Sequence, residues 1–332
     1  MEKDGASMEI EKLGPFRLAP WFSERVWGRP DLRPWYASTG TTELVGEAWL
    51  TGPQSVVETG AMAGRTLASV VAEQADALLG QGWTDDGHGP EFPLLVKMLF
   101  PNDKLSVQVH PDDAQAQAMG QARGKTECWY VLEAEPGATV ALGLQDGVTP
   151  EAVGAAVAAG ADGNMEGLMQ QVPVSVGDMV FVDAGTVHAI GPGVVLLETQ
   201  QTCDVTFRLY DYGRPRELHL EQGLRVMRTR TAAGKVKSVA MDGFTRLIEQ
   251  KYFAVDRFDL AAASETVLPT LGPGCLVGLK GAARIISADQ EPVDLVAGQA
   301  VVVPANSGAL GIESADGVSF VRCFAPSSVA SQ

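Results

Sequence analysis

Long apolar runs are missing from this 332-residue chain: no span approaches the roughly 20 consecutive apolar residues that a membrane-crossing helix requires. The opening "MEKDGASMEIEKLGPF" also lacks a basic start followed by an apolar stretch, so no targeting segment is expected and the chain reads as cytoplasmic. Positive charge is scarce. With 25 Lys and Arg against 41 Asp and Glu, the net charge of -16 argues against nucleic acid and anionic membrane surfaces as partners. An anionic small substrate would have to be met by cations concentrated inside a pocket. The four cysteines, Cys128, Cys203, Cys275 and Cys323, lie far apart in sequence. That spacing fits neither a disulfide framework nor a zinc ribbon, so they are expected to be reduced and mostly structural. Low-complexity segments and a Gly-rich phosphate loop are absent as well; "GPGVV" near Gly191 reads as a turn.

What is present is a large potential core and abundant β signal. Hydrophobic residues make up 45% of the chain, and its length suggests about two domains. Short β-branched runs, "GATVALGL", "GDMVFV", "GVVLLETQ", "DVTFRLYDY", "QAVVVP" and "GVSFVRCF", alternate with Gly, Pro and Asp turn signals, the pattern of an antiparallel sandwich or barrel. Helices are the minority. One is expected from about Thr66, its N-cap, to Gly80, with Leu67, Val70, Val71 and Leu78 on one face. Another should start at Thr149 with Pro150 in the first helical position, followed by a helical piece around Met165 to Gln171.

A weak internal repeat divides the chain. Gly177 is followed by five residues and then "DAGTVH"; Gly298 is followed by five residues and then "PANSGA". Pro304 takes the place of Asp183 and Ala309 that of His188, so the second copy keeps the turn and loses the imidazole. Two related β units follow from this, of which only the first could hold a metal.

Histidine is rarer still, at four: His88, His110, His188 and His219. Two of them fall in patterned segments. In "LSVQVHPDD" residues two apart share a strand face, which puts Ser106, Gln108 and His110 together. In "GKTECWYVL" Glu127 sits on a strand-like run with Lys125 facing the same side. Two imidazoles, a carboxylate and an amide oxygen suit a divalent metal, Zn²⁺ or a close relative, with a position left open for water or substrate.

These residues carry a family resemblance. "PLLVKMLFPNDKLSVQVHPDD", "GKTECWYVLEAEPGA", "DAGTVHAIGPGVVLLETQQTCDVTFRLYDYGR" and the early "GEAWL" resemble the type I phosphomannose isomerases of the cupin superfamily, in their short bacterial form. The resemblance covers roughly residues 15 to 230 and is thin beyond 240. It departs from the family pattern at Asp183, where Pro is usual, a change that should affect only turn stiffness. It implies an all-β fold with small helical insertions and two jelly-roll units. The expected domains are a zinc-binding catalytic unit over residues 1–235 and a degenerate unit without metal over 236–332. One Zn²⁺ per chain is implied, held by Gln108, His110, Glu127 and His188, with Arg208 of "CDVTFR" in the active-site arginine position. The implied reaction interconverts mannose 6-phosphate and fructose 6-phosphate, so the partner is a phosphorylated hexose and the chain a monomer or homodimer.

The chemistry can also be argued from the residues. Moving a proton between adjacent carbons needs a cation to stabilise an enediolate-like oxygen and a base to shuttle the proton. Glu198, among the apolar residues of "VVLLETQQ", is the candidate base, on a strand expected to turn back beside His188 through the "GPG" turn. Lys97 is a charge in the apolar run "LLVKML", where an unpaired ammonium would be expensive, so it should face a pocket. Lys125 and Lys97 are the other proton-transfer candidates. Arg208 alternates with Phe207 and Leu209 and can face inward to hold phosphate or polarise sugar oxygens, and Ser106 is a candidate substrate contact. A cupin dioxygenase and a non-catalytic sugar-phosphate-binding protein are the alternative readings.

Overall fold

The computed structural model describes residues 12–81, 89–288 and 290–326; His88 lies outside them. The architecture is all-β with small helical insertions, built from three antiparallel sheets. Two of them face each other. The first, of seven strands, runs in the order Gly234–Val236, Met179–Val182, Glu127–Ala134, Val194–Gln201, Leu94–Leu99, Val45–Trp49, Trp21–Arg29. The second, of five, runs Phe207–Tyr210, Val107–Val109, His188–Ile190, Thr139–Leu144, Met169–Pro173. A third sheet of eight strands collects the rest of the chain from Val239 onward, and also the early strand Phe16–Leu18, which pairs with Ala300–Val303 in the register Phe16↔Val302. The start of the chain is thus stitched into the C-terminal unit. Among the described residues no helix is long and apolar enough to cross a membrane.

Alternation along the strands explains why so many of them read as continuous apolar runs: the seven-stranded sheet is covered on both faces. Leu94, Val96, Met98, Cys128, Tyr130, Val195 and Leu197 point one way, into a core shared with Val255, Cys275, Val277, Val302, Val321 and Cys323 of the C-terminal sheet. Their neighbours Leu99, Trp129, Val131, Val180, Val182 and Leu196 point the other way, into the space facing the five-stranded sheet. That second sheet is also covered outside, where Val107, Val109, Phe207 and Leu209 pack against Val153, Val157 and Val226 of the helices Pro150–Ala158 and Leu220–Val226.

The two predicted turn copies adopt the same local geometry. Gly177 and Gly298 both have positive φ, +91° and +78°, a conformation that favours glycine. After each following strand the chain closes with an equivalent bond, Thr186 N–H to Asp183 O and Ser307 N–H to Pro304 O, both 3.1 Å.

Several local expectations need correction. The helix expected over Thr66–Gly80 is two helices, Leu67–Glu73 capped by Thr66 and Ala75–Leu79, broken where Gln74 leaves helical geometry. The piece expected as helix over Met165–Gln171 is a 3-10 turn, Met165–Leu168, that passes directly into the strand Met169–Pro173, whose pairing with Thr139–Leu144 overrides the local preference. The "GPG" turn does not fold Val194–Gln201 back beside His188–Ile190; it carries the chain from one sheet to the facing one. Cys275 and Cys323, distant in sequence, are directly opposed on paired strands as free thiols inside the shared core.

Candidate metal centre and active-site cleft

Two cross-strand rows, one on each facing sheet, build the site. Residues directly opposite in an antiparallel pair present their side chains on the same face. On the seven-stranded sheet the register aligns Trp49, Lys97, Glu198 and Trp129. On the five-stranded sheet it aligns Arg208, Gln108 and His188. Glu127 lies two residues before Trp129 and so shares its face, and His110 follows the strand Val107–Val109. The opening alternation of "LSVQVHPDD" therefore has a physical cause: Val107 and Val109 are spent on the outer helical layer, which leaves Gln108 to look inward.

His110, Glu127 and His188 converge, with one ligand-type atom from each lying within 4.8 Å of the others, and all three are buried. Each imidazole is fixed by a backbone carbonyl, His110 Nδ1 by Val205 O and His188 Nδ1 by Thr186 O, both at 2.9 Å. A carbonyl can only accept, so Nδ1 carries the proton and Nε2 turns its lone pair towards Glu127. The distances from Nε2 to the carboxylate are 3.7 Å for His110 and 3.5 Å for His188. Burial lowers the pKa of both, that of His188 to about 4, which keeps the rings neutral as metal ligands must be. His110 Nε2 and Glu127 Oε2 are buried without a hydrogen-bond partner. Orphaned donors of that kind fit a divalent cation. The Gln108 amide points Nε2 at the His188 Nε2 lone pair, 3.2 Å away; a cation there would take the amide oxygen instead.

Next to the cluster, which it meets at Gln108 and Lys125, lies a cleft of about 450 Å³ lined by every other residue singled out from the sequence: Lys97, Ser106, Lys125, Glu198 and Arg208. Lys97 Nζ bonds Asp204 Oδ1 at 2.8 Å, lies 3.7 Å from Glu198 Oε1, and sits 4.4 Å above the Trp49 ring. Lys125 Nζ is 3.3 Å from Glu127 Oε2. Burial alone would neutralise Lys125, but the carboxylates of Glu127, Glu198, Asp204 and Glu47 outweigh it and hold the ammonium charged. Glu198 is pushed up to about 7, first by burial and then by the nearby Glu127 charge, against the partial opposition of Lys125 and Lys97. Ser106 Oγ makes only a long 3.4 Å contact with Gln108 Oε1.

Other cleft residues carried no individual role in the sequence reading. Glu47 accepts both a bidentate pair from Arg25 (3.1 and 3.0 Å) and the Trp49 Nε1 proton (2.7 Å). Asp204 is held as a carboxylate: burial raises its pKa, but Lys97 and Lys125 bring it below the usual range. Their signal was an acid inside two of the quoted segments, "GEAWL" and "CDVTFR". Arg25 and Arg216 gave none, because neither falls in one of the quoted segments.

Comparison with known proteins shows the family to which this chain belongs. Residues 16–143 match the family model described as phosphomannose isomerase type I, catalytic domain. A mannose-6-phosphate isomerase of Streptococcus mutans is 33% identical over 303 residues, covering 87% of this chain and 92% of that one. The chain belongs to the type I phosphomannose isomerases. By that membership it is an isomerase. A second member of the family, mannose-6-phosphate isomerase ManA of Bacillus subtilis, is 35% identical over 291 residues, covering 83% of this chain and 88% of its own. Among solved structures, a mannose 6-phosphate isomerase from Bacillus subtilis superimposes with a TM-score of 0.80 at 27% identity, covering 94% of this chain and 99% of the other. The chain shares the mostly β cupin fold of this structural neighbour.

Proposed function

We propose that this chain interconverts mannose 6-phosphate and fructose 6-phosphate by proton transfer through an enediol, with one Zn²⁺ held by Gln108, His110, Glu127 and His188. The two neutral imidazoles, one carboxylate and one amide oxygen are a donor set that zinc accepts, and the cleft leaves room for a further ligand. Bound there, the metal would act as a Lewis acid that polarises a sugar oxygen. The remaining work falls to side chains. Glu198 takes the proton from the carbon beside the carbonyl and returns it to the neighbouring carbon, a task that suits a carboxyl whose pKa lies near neutrality. Lys97 and Lys125 present fixed ammonium groups to the oxygens on which negative charge grows. Arg208 and Ser106 contact the substrate further along the cleft. The unit beginning at residue 236 serves as a buttress, since its sheet supplies the far side of the core behind Lys97 and Glu198.

One observation carries this reading: Glu198 and Lys97 face each other in one register row and line a cleft with Lys125 and Gln108, which touch the histidine and carboxylate cluster at Glu127 and His188. A dioxygenase or a non-catalytic binding protein does not account for a buried carboxyl set beside the Lys97 ammonium group in this cleft. The test is a coupled isomerase assay on purified protein, before and after chelation and again with Zn²⁺ restored. Turnover of mannose 6-phosphate that is lost on chelation and regained with zinc is expected. Undiminished turnover in metal-free protein would remove the metal from the reaction, and no turnover with zinc bound would remove the substrate assignment.

A further inference from the structure

The cations of the cleft are not equally occupied. Lys97 is taken by Asp204 and Glu198, Lys125 by Glu127, and Arg25 by Glu47. Among the described residues Arg208 forms no ion pair with a carboxylate, although the charges of Asp211 and Glu217 act on it and partly offset the effects of burial and of Arg216. Its Nη1 donates to the carbonyl of Glu217 at 2.7 Å, while Nε is buried without a partner and no described bond uses Nη2. The Nε and Nη2 edge of a guanidinium is a planar fork matched to two oxygens of a phosphoryl group.

Arg216 lines the same cleft, and its orientation is fixed from behind. Buried Asp211 takes Arg216 Nε and Nη2 in a bidentate pair, both bonds 2.6 Å, and also Arg214 Nη1 at 3.2 Å. That leaves Nη1 of Arg216 without a described bond. The segment just after Arg216 is fastened onto the strand Phe207–Tyr210: His219 N–H donates to Arg208 O at 2.7 Å, and Arg208 N–H to His219 Nδ1 at 3.2 Å. Two guanidinium groups are thereby held close enough for Arg216 to lower the pKa of Arg208, an effect second only to burial. Like charges fixed together in a chain of net charge -16 are stabilised by an anion between them.

We propose that Arg216, locked by Asp211, is the second arm of a two-arginine seat for the phosphate of the substrate, the free edge of Arg208 being the first. A dianionic phosphate offers three acceptor oxygens, and the seat offers Nε and Nη2 of Arg208 with Nη1 of Arg216. Naming the ligand as a sugar phosphate rests on the isomerase reading above; the anion site itself does not. Seated there, the phosphate lies on the Arg208 side of the cleft and leaves the other end of the sugar for Lys97, Glu198 and the metal ligands.

The first test uses the unaltered holoenzyme and inorganic phosphate. Modification of arginines by a dicarbonyl reagent, mapped by mass spectrometry, should slow at Arg208 and Arg216 when phosphate is added, with no change at the exposed Arg225. The second uses Arg216→Gln and Arg216→Ala. KM for mannose 6-phosphate and the inhibition constant of inorganic phosphate should both rise about 10-fold or more, the scale of a lost charge-assisted bond, with a smaller fall in kcat. Modification of Arg216 at an unchanged rate in excess phosphate would overturn the proposal, as would a folded Arg216→Gln enzyme with wild-type KM and phosphate inhibition. Should both variants fail to fold, the protection experiment decides alone. Protection by phosphate in a protein that does not turn over mannose 6-phosphate would keep the seat and discard the isomerase reading.

Discussion

The turns at Asp183–His188 and Pro304–Ala309 close with the same bond after strands that follow the same kind of glycine, yet one ends on a buried imidazole and the other on an exposed alanine. The spaces they border differ accordingly. Beside the first lies a cleft lined by nine charged side chains. Beside the second the interior is apolar, with Phe258 stacked on Phe320 at 5.0 Å and on Phe244 at 5.3 Å. The comparison teaches that this scaffold does not itself demand a site. The same strand, turn and strand serve as a ligand mount or as a packing unit depending on a few inward positions.

The sharpest way to break the contrast is His188→Ala, which gives the first turn the residue type of the second. It should reduce bound zinc from roughly one ion per chain to a small fraction and abolish turnover, since two of the three remaining donors are oxygens. Elemental analysis checks it, and full occupancy would remove His188 from the ligand set. Phe320→Ala attacks the other side. Truncating a fully buried ring in a stacked pair should cost about 3–5 kcal/mol in denaturant unfolding while the folded fraction keeps its metal. A loss of zinc from folded Phe320→Ala protein would mean that the two interiors are coupled.

Glu198→Gln separates chemistry from architecture. Shape and metal should be retained while turnover falls about 100-fold or more, equivalent to ~2.7 kcal/mol, and KM changes less. Near-normal kcat would pass the proton-transfer role to Lys125 or Lys97. The smallest effect is expected at the seam between the units. Tyr252 donates to Asp113 Oδ2 at 2.5 Å, joining a C-terminal residue to the helix that follows His110. Burial works to raise the Asp113 pKa, but the bonds from Tyr252, the Gly124 amide and Gln201 outweigh it and depress it. A depressed carboxyl contributes stability that is present above its unfolded pKa near 4 and is lost as pH falls through the folded value. Tyr252→Phe should therefore cost about 1 kcal/mol at neutral pH and flatten the acid side of the stability profile. An unchanged pH profile would show that Tyr252 contributes nothing to holding that charge.

Much of this was legible in the sequence because period-two alternation is a local property. Ser106, Gln108, His110 and Arg208 fall on the expected face, and Thr66 and Thr149 cap helices as their side chains suggest. What local pattern could not show is which sheet a strand joins. Glu198 was expected beside His188 and lies across from it, because three residues of "GPG" suffice either for a hairpin or for a crossing between layers. Arg25, in the middle of the strand Trp21–Arg29, and Arg216, in a connection, escaped for a related reason: an arginine resembles any solvated charge until its partner is known. The opposition of Cys275 and Cys323 is set by pairing between long strands and has no trace in their spacing.

Burial of the seven-stranded sheet on both faces carries a cost in mutational tolerance. In Val194–Gln201 Val194, Leu196 and Glu198 face the five-stranded sheet, Glu198 reaching the cleft, while Val195 and Leu197 face the core shared between the units. Deleting a single residue there would swap the two sets, sending Glu198 into hydrocarbon and Leu197 or Thr199 towards the substrate. Such a strand can change by substitution but not by insertion or deletion. Length variation among descendants of this chain should therefore gather in the hairpin tips and the helical insertions, and spare the strands that carry Lys97, Glu127 and Glu198.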